Sequence, residues 1–359
     1  MKPISYGKQT IGVSDIISVI RTLVSPYLTQ GPKIQELEEK LAEYVGAKYC
    51  IVCSNGTSAL NLIAKLLPEK SNIRVPDITF MATANAFKLE NHNINLYDID
   101  NKQPLLSTYS YDEFNVPVHM MGYPSQTFTL YQDNTIEDAC HALSASYLGL
   151  DSHLHMVGDC VNSIATVFSF HPVKPITCGE GGAITTNSES LYLELKKLRN
   201  HGISIINGKY QLDTPSLNFR LTDIQASLLI SQLKKLNSFT QKRTEIAKYY
   251  DQHLSQWAVI PEPWQYPSYH LYVIRIPKRD FVKSFLQSKG INTQIHYQPI
   301  HQFNCYKDNY YDEEFPNAIH YYNETLSLPI YPALKRSEQN YIIKQLKIAL
   351  DKVYKNDIM

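Results

Sequence analysis

The sequence predicts an α/β fold: a large domain with a mainly parallel sheet sandwiched by helices, then a smaller α+β domain at the C-terminal end. Three observations carry this. From Tyr49 onward, short apolar runs alternate with segments of helical spacing, the pattern of strands that return through helices to a parallel sheet. Around residues 221–236, Ile224, Leu228, Leu229, Leu233 and Leu236 recur at the 3.6-residue period of a long amphipathic helix. Pro261 and Pro263 then interrupt regular structure. The large domain is placed at 1–238, with an N-terminal arm, and the small domain at 239–359.

In chain order, residues 14–24 carry Ile16, Ile17, Ile20, Leu23 and Val24 at helical spacing, with Ser14 and Asp15 where an N-cap would sit. A second helix runs over 34–44 and stops at Gly46. The apolar run Tyr49 to Cys53 is a strand, and Gly56 opens the next helical pattern. Thr135 to Asp138 reads as a short strand, and Val167, Phe168 and Phe170 as the end of a buried one. The 221–236 helix is expected to continue, with a bend, through Phe239 to Tyr250. A strand over 270–276, a helix over 279–289 stopped by Gly290, and a last helix over 337–354 complete the small domain.

Composition excludes several classes. A 359-residue chain with 43% hydrophobic and 19% charged residues is a folded protein, not a disordered one. Its 34 basic and 34 acidic residues leave no nucleic-acid footprint. No apolar run reaches membrane-spanning length, and residues 1–8 lack the apolar core of a signal peptide. The expected compartment is the cytoplasm, which suits six cysteines kept as reduced thiols. Cys50 and Cys53 are spaced as C-x-x-C, but on a strand they point to opposite faces, and no second pair at metal spacing exists. His296 and His301 match no metal spacing and read as substrate-contact or packing residues; His153-Leu154-His155 reads as a loop. No metal is expected.

Three segments carry chemistry. In Ser169-Phe170-His171-Pro172-Val173-Lys174, one lysine follows a buried strand end and precedes Gly179, Gly181 and Gly182. A buried lysine loses solvation of its ammonium form, and the resulting neutral amine is what a Schiff base with an aldehyde requires. A snorkelling surface lysine fits the same pattern. Asp138 sits at a strand's carboxyl end, where open α/β sheets bind ligands and where a carboxylate can hold a pyridinium proton. It also fits a helix N-cap. His141 fits cofactor packing or a core position equally. Gly56, Thr57 and Ser58 open a helix after a strand, and helix-start N–H groups and hydroxyls make an anion site.

Together these segments resemble the DegT/DnrJ/EryC1/StrS sugar aminotransferases, a pyridoxal-phosphate family of fold type I. The resemblance runs along nearly the whole chain, through Leu28-Thr29-Gln30-Gly31-Pro32, Ile78-Thr79-Phe80-Met81-Ala82-Thr83, Asn218-Phe219-Arg220-Leu221-Thr222-Asp223, Ile295-His296-Tyr297-Gln298-Pro299-Ile300-His301 and Leu326-Ser327-Leu328-Pro329. It implies pyridoxal 5'-phosphate as cofactor. Lys174 resembles the Schiff-base lysine, Asp138 the partner of the pyridine nitrogen and Phe80 the ring-stacking aromatic. Thr57, Ser58 and Ser169 resemble phosphate ligands. Asn218 resembles the asparagine that reaches the phosphate of the neighbouring subunit, which implies a homodimer with shared active sites. Tyr6, His296 and Tyr297 are further candidates for substrate contact. Arg220 is a candidate for a carboxylate or diphosphate across the dimer, or else for an ion pair with Asp223 or Glu180.

Val167 to Ala183, Asp138 to Leu143 and Gln294 to Pro299 are similar to one subgroup. Its members move an amino group from L-glutamate to C4 of a UDP-4-keto-6-deoxy-N-acetylhexosamine in pseudaminic acid biosynthesis. Other nucleotide-sugar 3- and 4-aminotransferases share most of these motifs. Pyridoxamine-dependent sugar dehydratases of the same fold carry histidine where Lys174 stands, and a non-catalytic cofactor-binding or regulatory protein is the reading from another class. One departure stands out. Between Leu96 and Val116, and between Gly122 and Thr135, this chain is shorter than the family usually is, and 123–130 has no helical period. One sheet face is therefore expected to be thinly covered, or covered by a dimer partner.

Overall fold

The computed structural model describes residues 3–106, 108–125 and 132–356. Its main sheet is built from β1 (Tyr49–Cys53), β2 (Asn72–Pro76), β3 (Asn93–Tyr97), β4 (Phe114–Asn115), β5 (Ile136–Asp138), β6 (Ala165–Ser169) and β7 (Gly182–Thr186). The spatial order is β3-β2-β4-β5-β6-β7-β1. β4 joins β5 through the parallel bridges Asn115↔Thr135 and Val118↔Asp138. The pairings are parallel except those of β7, which runs antiparallel to both neighbours. The near-continuous burial of β1 and β6 reflects layers on both faces, and the helices packed on the sheet include α4 (Ala82–Lys88) and α5 (Glu189–Leu198). Cys53 packs into the core with α3 (Gly56–Ala64), whereas Cys50 packs into the core with α2 (Pro32–Val45), so the two thiols do lie on opposite faces.

α1 (Val13–Leu23) forms where expected but is turned the other way. Its N-cap is Gly12, and Asp15 accepts the Gly12 N–H at 2.8 Å. The buried side chains are the polar ones, Asp15 and Thr22. Asp15 also takes the Ser231 hydroxyl at 2.7 Å and pairs with Lys235. Val13, Ile16, Ile17, Ile20 and Leu23 are exposed. α2 starts on Pro32 and ends at Gly46, whose φ of 83° suits glycine. The anticipated long helix is two: α6 (Asp223–Leu233) and α7 (Leu236–Leu254) meet at Lys234 and Lys235. The expected domain boundary at 238/239 falls in the first turn of α7.

After α7, β8 (Tyr272–Arg275) pairs antiparallel with β9 (Thr325–Leu328), packed by α8 (Arg279–Ser288), α9 (Pro316–Glu324) and α10 (Arg336–Asn356). Leu154–Met156 is a strand paired with Ser146–Leu148, not a loop; His155 is fixed there between Asp151 and Asp159. Residues 98–113 hold no helix among the described residues, as their short length requires. The C-terminal half covers them instead. Asp98 accepts the N–H groups of Asn317 and Ala318, and the Tyr310 hydroxyl bridges Leu96 N–H and Ile94 C=O. Of the second short connection, residues 126–131 lie outside the described residues. No described helix is long and apolar enough to cross a membrane.

Candidate active site

The carboxyl ends of β5 and β6, the start of α3 and the segment after β2 meet at one cavity of about 600 Å³. Gly56, Thr57, Phe80, Asp138, His141, Ser169, Lys174, Tyr6, His296 and Tyr297 line it. Ten of the thirteen candidate residues, distant in sequence, are thus brought to one place by the topology.

Lys174 is half-buried on the loop after β6 and makes no side-chain hydrogen bond or ion pair among the described residues. Burial lowers its ammonium pKa, with Cys140 and Asp138 pulling the other way. Asp138 is buried; its Oδ2 accepts the Thr83 hydroxyl at 2.8 Å and its Oδ1 the Cys140 N–H at 3.1 Å. Thr83 is steadied in turn by Thr79, 2.9 Å away. α3 is capped by Asn55, which accepts the Ser58 N–H at 2.8 Å. The N–H groups ahead of it, on Gly56 and Thr57, are left to the cavity. A Cβ on Gly56 would stand 2.9 Å from Cys140 Sγ and 3.1 Å from Ser169 Cβ. A Cβ on Gly182 would stand 2.3 Å from Asn55 C=O, so both glycines are required for this close approach.

Three histidines close the site. His141 and His270 pack at a tilt of 51° with centroids 4.3 Å apart, and the Tyr297 hydroxyl reaches His141 Nε2 at 3.2 Å. His296 bonds Ser327 through Nδ1 at 2.8 Å. Burial drives His141 and His270 well below the usual imidazole range and His296 to about 3, so all three are neutral at pH 7. The buried Nδ1 atoms of His141 and His270 have no hydrogen-bond partner among the described residues. Phe80 is 50% exposed, an aromatic face on the cavity wall 5.7 Å from Tyr297.

Ser58, Asn218 and Arg220 do not line the cavity. The Ser58 hydroxyl faces Ser54 at 2.9 Å. Asn218 is exposed and receives the Arg220 N–H. Arg220 bonds Asn200 rather than Asp223 or Glu180, and lines a separate cleft of about 540 Å³ beside α2. Asp223 instead fixes the Gly31 and Lys33 N–H groups. Sequence reasoning missed Thr83, Cys140 and His270 as site residues, although Thr83 and Cys140 lie inside quoted motifs and His270 opens the strand expected over 270–276. Thr79 and Thr83 are four residues apart at a helix start, a spacing that places them side by side.

Residues 9–347 match the sequence pattern of the DegT/DnrJ/EryC1/StrS aminotransferase family. A UDP-4-amino-4,6-dideoxy-N-acetyl-β-L-altrosamine transaminase of Campylobacter jejuni is 33% identical over 380 aligned positions, covering 98% of this chain and 99% of the relative. The Helicobacter pylori aminotransferase PseC, involved in the biosynthesis of pseudoaminic acid, superposes with a TM-score of 0.89 at 28% identity, over 98% of this chain and all of that one. A putative sugar aminotransferase of Streptococcus pneumoniae, solved in its PLP form, gives a TM-score of 0.90 at 25% identity, over 98% of this chain and 99% of that one.

Proposed function

Since the chain belongs to the DegT/DnrJ/EryC1/StrS aminotransferase family, we propose that it is a cytoplasmic, pyridoxal-phosphate-dependent enzyme that moves the amino group of L-glutamate to C4 of a UDP-4-keto-6-deoxy-N-acetylhexosamine. The observation that carries this is the pairing of an unpartnered lysine, Lys174, with the buried carboxylate of Asp138 across one cavity. The residues present fit the cofactor. Phe80 offers a free ring face, and Gly56, Thr57 and Ser169 offer N–H and O–H donors where a Cβ on Gly56 would block approach.

When bound, the cofactor supplies an aldehyde to carry the amino group and a pyridinium ring to withdraw electrons. The protein does the rest. Lys174 Nζ, its pKa lowered by burial, would hold the cofactor's aldehyde carbon until the glutamate amine displaces it, and the lysine amine so freed would take the proton from the glutamate α-carbon. In the second half it returns a proton to C4 of the sugar. Asp138, held by Thr83 and the Cys140 N–H, would hold the proton on the cofactor's ring nitrogen. Neutral His141, His296 and Tyr297, with Tyr6, orient the substrate without adding charge. Ser58 supports the phosphate end of α3 through Ser54.

The enzyme works as a homodimer. Asn218 and Arg220, outside their own cavity, serve the phosphate and the diphosphate or carboxylate of the other copy's site. The outward apolar face of α1 supplies contact area. Incubation with L-glutamate and a panel of UDP-, dTDP- and GDP-linked ketosugars tests the substrate. The UDP-4-keto-6-deoxy-N-acetylhexosamine should give 2-oxoglutarate and a sugar whose new C–N bond NMR locates at C4. Amination at C3, or of another nucleotide's sugar alone, would instead place the enzyme among the related 3- and 4-aminotransferases.

A further inference from the structure

Outside the cofactor contacts lies a buried histidine between two carboxylates. We propose that His301 is a positioning residue, an imidazolium clamp between Asp77 and Asp312 that ties the segment bearing His296 and Tyr297 to the segment bearing Thr79 and Phe80. The proposal rests on reading that cavity as the pyridoxal-phosphate site.

The geometry fixes the charge. His301 Nδ1 stands 2.7 Å from Asp77 Oδ2, and Nε2 stands 2.8 Å from Asp312 Oδ1. A neutral imidazole has one N–H, so its second nitrogen would set a lone pair against a carboxylate; two acceptors demand two donors. The side chain is 2% exposed and stacks flat on Phe315 at 4.5 Å, which prevents the ring from swinging out.

The clamp also grips main chain on both sides. His301 N–H donates to Asp77 Oδ1 at 2.9 Å, and Ile300 N–H to the Asp77 C=O at 2.9 Å. Asp77 directly follows β2, and its own N–H is tied to Tyr97 C=O. Two residues on, Thr79 supports Thr83, which supports Asp138; Phe80 is next. On the other strand of the clamp, Tyr297 reaches His141. His301 thus sets the spacing between Phe80 and Tyr297, the two rings facing each other across the cavity.

The groups around His301 are acidic or neutral. Asp77 and Asp312 touch it, Gln302 shares Asp312, and Asp98 and Tyr310 act on Asp77. Burial lowers the His301 pKa, but the two carboxylates outweigh it and the result is raised. A raised histidine contributes stability that is complete below its unfolded value of about 6.5 and lost as pH rises through the folded value. Cofactor retention should therefore weaken on the alkaline side.

Asp312→Asn tests this. Asp312 is 60% exposed and outside the cavity, and the amide keeps an acceptor but removes the charge. Cofactor retained by the holoenzyme after dialysis is measured from about pH 6 to about pH 10, with apoprotein melting temperature over the same range. The cofactor and Lys174 titrate alike in both proteins, so their difference reports His301. The retention midpoint should fall by about half a pH unit or more in D312N, with a matching shift in the melting profile. Superimposable profiles would overturn the clamp. A shift in melting alone would make His301 a fold staple and overturn its positioning role. A wild-type protein that retains no pyridoxal phosphate at any pH would overturn the reading of the cavity and the positioning role with it, whatever the melting profile shows.

Discussion

That Lys174 and Asp138 would come to one cavity was legible in the sequence, because apolar runs mark the strand ends where open α/β sheets bind ligands; the roles proposed for them come from the family resemblance. Their support was not. Thr83, which holds Asp138 from 55 residues away, and His270, which packs at a tilt against His141, act through contacts that no local pattern encodes. Arg220 shows the reverse: Asp223, one of its two expected acidic partners, is close in sequence, yet it is already spent on main-chain N–H groups. The account makes a plain demand of Lys174. With Ala there, no amine remains to hold the aldehyde or move the α-proton. Steady-state formation of 2-oxoglutarate should fall by more than about 10³-fold in Lys174→Ala, with the fold intact by circular dichroism. Near-normal turnover would remove Lys174 from the mechanism.

At the scale of elements, periodicity located α1 but could not aim it. The stripe Ile16, Ile17, Ile20, Leu23 is the kind that normally faces a core. Here the buried face is instead the polar one, because Asp15 finds Gly12, Ser231, Gln232 and Lys235 on α6 and its flank. A buried carboxylate with that many donors is satisfied, and the apolar stripe is left outward. A patch of this kind on a folded chain marks an association surface. Ile20→Glu should therefore weaken self-association by about 30-fold or more in sedimentation equilibrium, with helix content unchanged. A dimer of unaltered affinity would put the contact elsewhere. The bend expected in the long helix is a full break and comes before Leu236, not after it, because the apolar period runs on through Leu233 and Leu236 while the backbone breaks between them.

For the whole molecule, the alternating pattern was enough for the α/β class, and motif order was enough for the family, because the cavity collects segments whose order along the chain is set by the topology. What composition could not reveal is how a chain with short 98–113 and 123–134 connections covers its sheet edge. The answer is long-range: Tyr310, Asn317 and Ala318 close over β3 from the C-terminal half. The same half supplies His296, Tyr297 and His301, so the placement of the C-terminal half and the geometry of the cavity are one problem. The most direct test is the visible absorption of the purified protein loaded with pyridoxal phosphate, before and after L-glutamate. The account predicts a coloured band from cofactor held on Lys174 that bleaches with glutamate and returns when the ketosugar is added. A protein that stays colourless with excess pyridoxal phosphate would contradict it, and would leave a fold that keeps the motifs without their chemistry.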